Sequence, residues 1–379
     1  MPLPDRRRER AGLPGVLTAA QLTATASSIA AVQQPCGALP WPDGHTDPWD
    51  HVECAMALRL AGRDDEALAA WDWLAATQAP DGLWAMSYDG PTVLDASVDT
   101  NQCAYAAVGV WHWWLVTGDR RVPRRLWPLV RRALDAVVAL QAPGGQLHWS
   151  RAPGGTVDPG ALLTGSSSAY QALRCGIALA ELVGEAQPEW ELAAGRLQHA
   201  VAHHPEVFLD KTRFSMDWYY PVLGGAVRGP AAHARLASRW EEFVHPGLGA
   251  RCVGDRPWVT GAETAELALT LAALGARPRA LALLRDVQHL READGSYWTG
   301  LVLDGGVEAG LAGGTRWPVE RSSWTAAAVL LAADALAGGP TLDLFAGDRL
   351  PTGVLLDADA CREPGAACGG PLPVEHSTA

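Results

Sequence analysis

The chain alternates two kinds of helix, and that alternation limits the folds open to it. Apolar residues recur at helical spacing over nearly all of its 379 residues, and alternating strand patterns are scarce. The spacing predicts twelve helices, over 17–33, 47–61, 65–79, 98–117, 122–141, 163–183, 188–203, 215–227, 230–244, 260–275, 278–292 and 321–337. Those over 65–79, 122–141, 230–244 and 278–292 carry Arg, Asp and Glu along one face, as in RRLWPLVRRALDAVV. The intervening ones are poor in charge and rich in Ala, Cys, Gly and Leu, as in NQCAYAAVGVWHWWL, YQALRCGIALAEL and WTAAAVLLAADAL. A helix that is apolar all round is an inner helix. Six outer and six inner helices in strict alternation describe an all-α (α/α)6 toroid of two concentric rings, with inner helices starting near 47, 99, 164, 217, 260 and 322.

Local punctuation agrees. Gly62, Gly118, Gly184 and Gly275 follow apolar runs as helix stops, and Pro123, Pro188, Pro230 and Pro278 suit first turns. Asp64, Asp99, Thr260 and Ser322 suit caps or first turns. Residues 1–340 are expected to form one toroid domain. Residues 341–379 read as a Gly/Pro-rich C-terminal tail, mobile or draped over the surface.

Loops into inner helices are long (WPDGHTDPWDH, WAMSYDGPTVLDASVDTN, HWSRAPGGTVDPGALLTGSSS), whereas loops leading back out are short (AGRDDEA, VTGDRRVP, LGARPRA). One functional face follows, where all inner-helix N-termini meet. Carboxylates and indoles collect there. Asp47 and Asp50 start the first inner helix, with His45, His51 and Glu53 nearby; Asp99 and Asn101 start the second. Asp217, with Trp218, Tyr219 and Tyr220, starts the fourth, Glu263 and Glu266 the fifth, and Glu320 and Trp324 the sixth. A carboxylate at a helix N-terminus has a plain structural reason, worth about 0.3–1 kcal/mol, and Glu266 could face an outer helix instead. Asp47 and Asp50, beside Trp41, His45 and Trp49, are harder to explain so: two carboxyls three apart repel unless a proton or ligand lies between them. Trp41, Trp84, Trp149, Trp258, Trp298, Trp317 and Trp324 fall on or near the same loops.

Indole faces stack on sugar rings and also stabilise carbocations, so glycoside hydrolysis and terpene cyclisation compete. Hydrolysis needs two carboxyls flanking the bond. Cyclisation needs a DxDD-type cluster, and the nearest approach is LDADA at 356–360; Asp64 and Asp65 lack a third acid for a magnesium site. A glycan- or lipid-binding toroid without catalysis is the third reading. The net charge of −12, with a basic cluster only at Arg6, Arg7, Arg8 and Arg10, argues against nucleic acid. No apolar run of about 18 residues spans a membrane, and MPLPDRRRERAGLPG lacks a signal-peptide core. Seven cysteines without CxxC spacing suit free thiols in a cytoplasmic setting rather than disulfides or zinc.

QAPDGLW at 78–84, with QQPCGALPW, QAPGGQLHW and EADGSYW as degenerate copies, resembles the QxxxGxW repeat of terpenoid cyclases and prenyltransferase-like toroids. It is read as a mark of the toroid, not of catalysis. More of the chain resembles six-hairpin glycosidases of the glucoamylase type, through the segments WPDGHTDPWDHVECAMALRLAGRDDEALAAWDWLAATQAPDGLW and RWPVERSSWTAAAVLLAADAL. It departs from them at QLHWSRA, which has no acid where those enzymes carry one. Over about 17–338, PWPDGHTDPWDHVECAMAL, VDTNQCAYAAVGVWHWWL, SMDWYYPVLGGA, RCVGDRPWVTGAETAEL and DGSYWTG resemble an actinobacterial family that includes the α-endomannosidase of methylmannose polysaccharide gene clusters. That resemblance implies intracellular endo-hydrolysis of α-(1→4)-linked, partly 3-O-methylated mannan.

The expected catalytic groups are Glu263 with Asp47 or Asp50. Trp41, His45, Trp84, Asp99, Asn101, Asp217, Trp218, Tyr219, Trp258 and Trp324 are the expected substrate contacts. The expected partner is an oligo- or polysaccharide, with no metal or cofactor, no nucleic acid and no membrane, acting as a monomer or homodimer.

Overall fold

The computed structural model describes residues 12–303, 314–347 and 350–354. The N-terminal arginines and the LDADA stretch lie outside the described residues. The helices are α1 Ala19–Ala31, α2 Pro48–Leu60, α3 Asp64–Thr77, α4 Thr100–Ala104, α5 Ala106–Thr117, α6 Arg121–Val138, α7 Leu163–Val183, α8 Pro188–His203, α9 Ser215–Leu223, α10 Gly229–Ser238, α11 Trp240–Phe243, α12 Gly261–Ala273, α13 Arg277–Asp286, α14 Ser323–Leu336 and α15 Pro340–Ala346. The inner ring runs α2, α4 with α5, α7, α9, α12, α14; each packs on the next, and α14 packs back on α2. Outside it, α1, α3, α6, α8, α10 and α13 each back an inner helix. This is the (α/α)6 toroid.

Burial follows the sequence pattern. Inner α12 buries eleven of its 13 residues, while outer α13 buries three of 10. Gly118 and Gly184 end α5 and α7 in the left-handed conformation, at φ 64° and 87°, where glycine carries no Cβ penalty.

Successive outer helices are tied by one repeated device. After α1, the Gln33 side-chain amide donates to the carbonyls of Gly37, in its own turn, and Glu66, in α3 (3.0 and 2.9 Å). After α3, Gln78 does the same to Gly82 and to Leu129 of α6 (2.8 and 3.0 Å). After α6, Gln141 does so to Gly145 and to Ala193 of α8 (2.8 and 2.9 Å). After α13, the Arg291 guanidinium reaches the Gln21 carbonyl of α1, so the last outer helix is tied to the first. The glycine of each turn lies against the neighbouring helix: a Cβ on Gly82 or Gly145 would stand 2.5 Å from the Arg132 or Arg196 carbonyl oxygen. Trp84 seals its turn from inside, 1% exposed, with its N–H on the Leu74 carbonyl at 2.9 Å. The QxxxGxW repeat is therefore a seam.

Three features depart from expectation. Short antiparallel strands decorate the functional face: Ser87–Asp89 with Thr92–Asp95, Val98–Asp99 with Ser150–Arg151, and a five-stranded sheet of Val244–His245, Gly249–Arg251, Trp258–Thr260, Gly300–Leu303 and Gly314–Arg316. At two to four residues each, they are too short for an alternating pattern to register. The helix expected over 230–244 breaks at Arg239 (φ −130°, ψ 19°) into α10 and α11. The tail expected from 341 does not begin there. α15 packs on α5, α12 and α14, burying Leu344 and Phe345. Arg174 binds the Gly347, Leu350 and Pro351 carbonyls, and Arg228 those of Phe345 and Ala346. The toroid thus extends at least to Val354. Pro340 at the first turn, followed by Leu342, Leu344 and Phe345, is the signal that the Gly/Pro content hid.

The seam can be tested at one atom. Gly82→Ala must hold a left-handed residue (φ 89°) against a carbonyl, so it should lower the unfolding free energy by more than about 1 kcal/mol. Urea denaturation checks this; a change within error would mean the turn yields freely.

Candidate active site

The inner-helix N-termini put their first-turn residues on one floor. Asp47 caps α2: its Oδ1 accepts the Asp50 N–H at 3.0 Å, and its Oδ2 accepts the Trp41 indole N–H at 2.9 Å. Asp50, in the same turn, also shares a side-chain hydrogen bond with Asp47. Burial first, then the charges of Asp47 and Glu53, push the Asp50 carboxyl well above the ordinary carboxylate range. A carboxyl whose proton affinity is raised in this way suits the role of a general acid.

One turn deeper lies Glu53, 2% exposed. Its oxygens accept the Trp49 N–H (3.2 Å), the Tyr105 hydroxyl (2.9 Å) and the Trp324 N–H (3.1 Å). Burial raises it from 4.5 to about 7, against the pull of those three donors. Glu266 of α12 takes the Tyr219 and Tyr220 hydroxyls at 2.5 and 2.7 Å, and burial with the Glu53 charge drives its carboxyl well up. So Glu266 faces the ring interior rather than an outer helix. Glu53, Glu266, Tyr105 and Tyr220 line a cavity of about 10 Å³, room for one water.

Asp99 caps α4 through the N–H groups of Asn101 and Gln102 (2.8 and 3.1 Å); burial lifts it to about 6, and the Asp47 charge adds to the rise. The buried Asn101 Oδ1 has no hydrogen-bond partner. Glu263, 5% exposed, stands in the first turn of α12 beside the Cys252 thiol. α2 and α12 both flank α14, so Asp50 and Glu263 start helices two places apart around the ring. Trp41 stacks on His45 (5.7 Å between rings, 6° apart) and meets Trp324 at 6.0 Å. Trp258 stands on the sheet rim, edge-on to Trp317 at 4.8 Å.

Four expected contacts do not reach the open floor. Trp84 belongs to its seam. Trp218, 2% exposed, lies on Phe243 with its N–H on the Arg235 carbonyl. Tyr219, 0% exposed, serves Glu266. Asp217 accepts the Thr164 N–H and hydroxyl (3.2 and 2.6 Å), tying α9 to α7. In each case the side chain turns inward because its polar atom finds a protein partner there.

Four arginines near this face are occupied: Arg151 by Asp81, Arg213 by Asp255, Arg321 by Asp294, and Arg251 by the Gly254 carbonyl. None of these four is left over for a diphosphate. Among the described residues, no group of three or more His, Cys, Asp or Glu is arranged to hold a metal.

No family model matches the chain. It is 56% identical over 345 residues to the MMP endo-(1,4)-3-O-methyl-alpha-D-mannosidase of Mycolicibacterium hassiacum, covering 90% of this chain and 94% of that protein. The chain belongs to the MMP endo-(1,4)-3-O-methyl-alpha-D-mannosidase family. Solved structures show the same fold. A glycosidase E335A variant in complex with glucose aligns with TM-score 0.66 at 18% identity, over 84% of this chain and 97% of that one. A GH63 mannosylglycerate hydrolase from Thermus thermophilus aligns with TM-score 0.57 at 14% identity, over 82% and 99%. A D-mannose isomerase aligns with TM-score 0.65 at 11% identity, over 84% and 96%.

In this member of the mannosidase family, Glu53, Trp49 and Tyr220 were legible in the sequence only as neighbours of Asp47, Asp50 and Asp217, and Tyr105 was not legible as a site residue at all. The four-residue step from Trp49 to Glu53 on one helix face was the available signal.

The Glu53 proton has a measurable consequence. Between about pH 4.5 and 7 the folded chain holds a proton on Glu53 that the unfolded chain releases. Its contribution to stability is therefore complete at low pH and lost as pH rises through 7. Glu53→Gln, which mimics the protonated acid, lacks this loss. The wild-type advantage over Glu53→Gln should shrink by on the order of 3 kcal/mol across that window, read from urea unfolding at stepped pH. A pH-independent difference would refute the raised affinity.

Proposed function

We propose that the chain is an endo-acting α-(1→4)-mannosidase that hydrolyses 3-O-methylated mannose polysaccharide, or a related α-mannan, with two carboxyls and no metal. The observation that carries this reading is the Asp47–Asp50 pair at the start of α2, joined through the Asp50 N–H and held beside the Trp41 indole. Kinship at 56% identity supplies the substrate class.

Asp50 gives its proton to the glycosidic oxygen as the bond to the anomeric carbon breaks. Asp47 orients Asp50 and takes the Trp41 N–H, so it remains an acceptor. Glu263, entering from two places round the ring, supplies the second carboxyl and receives the proton of the incoming water. Its approach from another helix suits a bond attacked from the face opposite the acid. The free Asn101 Oδ1, beside Asp99, accepts a ring hydroxyl. Trp41 and Trp324 offer apolar faces to sugar rings. The groups lie within one chain, so a monomer suffices. Free thiols at Cys54, Cys103 and Cys175, all buried, favour a cytoplasmic setting.

A cyclase would need a sealed, dry pocket for an isoprenoid. The cavity beside Glu53 and Glu266, at about 10 Å³, has room for one water and none for an isoprenoid, although Leu223, Leu269, Leu331 and Phe345 also line it.

Asp50→Asn and Glu263→Gln should each fold normally and cut kcat on α-(1→4)-linked 3-O-methylmannose oligosaccharides by about 10²–10⁴-fold. Circular dichroism with product chromatography checks both. Near wild-type turnover by Glu263→Gln would move the second carboxyl to Glu320.

A further inference from the structure

Beside the floor, a groove of about 570 Å³ runs between α1 and the start of α14, within the roughly 300–1,000 Å³ typical of ligand sites. It is continuous with the floor through Trp41, which lines the groove while its N–H holds Asp47. Trp298 lines it further along, its N–H fixed on Glu292 at 2.5 Å. Two anchored indoles therefore stand on one path. Between them are serines whose donors are already spent. Ser28 donates to the Thr25 carbonyl (2.8 Å) and Ser323 to the Pro40 carbonyl (3.2 Å). Each keeps acceptor lone pairs for a hydroxyl. Two valines also line the groove and lie bare: Val32 at 46% and Val319 at 85% exposure.

We infer that this groove binds the part of the glycan remote from the cleaved bond: a neutral, α-linked hexose chain carrying methyl ethers. Indoles take the sugar faces, serine oxygens take free hydroxyls, and the exposed valines take the O-methyl groups. A bare polar glycan would have no use for Val319, and an acyl chain would have none for the serines. The inference rests on the proposed mannan chemistry for its ligand, and on the groove's continuity with the Asp47 cap for its place.

Ala31 faces the groove from the exposed end of α1, so Ala31→Trp fills it without touching the core. The ratio of kcat/KM for a long over a short methylmannose oligosaccharide should fall about tenfold in this variant. Val319→Ser should lower the preference for methylated over unmethylated chains by threefold or more. Calorimetric binding of the long oligosaccharide to Asp50→Asn, with and without Ala31→Trp, reads the groove independently of turnover. Weaker binding with Ala31→Trp supports the inference. Unchanged binding overturns it, as would fatty-acyl binding to the groove with glycan affinity unaffected. If the wild type cleaves no α-mannan, the proposed function fails, while the binding comparison still decides the groove.

Discussion

A ring of helices has to close, and here closure rests on hydrogen bonds from one side chain to two carbonyls. Gln33, Gln78 and Gln141 each satisfy a carbonyl of their own turn and one of the next outer helix. A helix backbone normally leaves no acceptor free; a bifurcated contact to its carbonyls from outside needs a donor brought very close. Glycine at the turn allows that approach. Arg291 ties the last turn to α1, so four of the six junctions between outer helices carry such a contact. The inner helices, rich in alanine, add contact area but little directional bonding. The seams fix their angular order.

That order sets the electrostatics of the site. Six inner helices with parallel sense bring six N-termini to one face, each with its partial positive charge and unspent N–H groups. Acids gather there because those ends stabilise them. Yet the cluster of Asp47, Asp50, Glu53, Asp99 and Glu266 is served by neutral donors: indole and phenol groups and backbone N–H. A buried arginine in their midst would have kept every carboxyl ionised. Neutral donors stabilise without cancelling the charge, so burial and mutual repulsion raise the proton affinities of Asp50, Glu53, Asp99 and Glu266. A proton held near neutral pH is what cleavage of a glycosidic bond requires.

The two-ring architecture was legible because inner and outer helices differ in composition along their whole length, and a 13-residue pattern averages out single exceptions. The start of each inner helix was legible to within two residues, since Asp47, Asp99 and Ser322 cap them. The strands were not, being short and held by loop geometry. Within the site, Asp47 and Asp50 stood out by their spacing. Glu53 and Glu266 did not: apart from Trp49 on the same helix as Glu53, their aromatic donors come from other helices, Tyr105 and Trp324 for Glu53 and Tyr219 and Tyr220 for Glu266. Trp84 and Trp218 misled for the converse reason. Both sit near long loops, but an indole N–H that finds a carbonyl inside stays inside, and position in the chain does not reveal which partner it takes.

The same logic separates indoles that can work from those that cannot. A Trp whose N–H is bonded to a backbone carbonyl in the core, as Trp84 and Trp218 are, has its ring buried with it. Trp41, Trp49 and Trp324 instead bond their N–H to Asp47 and Glu53. Each ring is thus pinned by its N–H edge, with Trp41 stacked on His45 and Trp49 packed between Tyr105 and Tyr220. The acids thereby do two things at once: they set the proton affinity of Asp50 and hold the aromatic surfaces still. Moving the charge at Glu53 would disturb the stacking platform and the acid together, which couples sugar placement to the protonation state of the site through a single buried carboxyl.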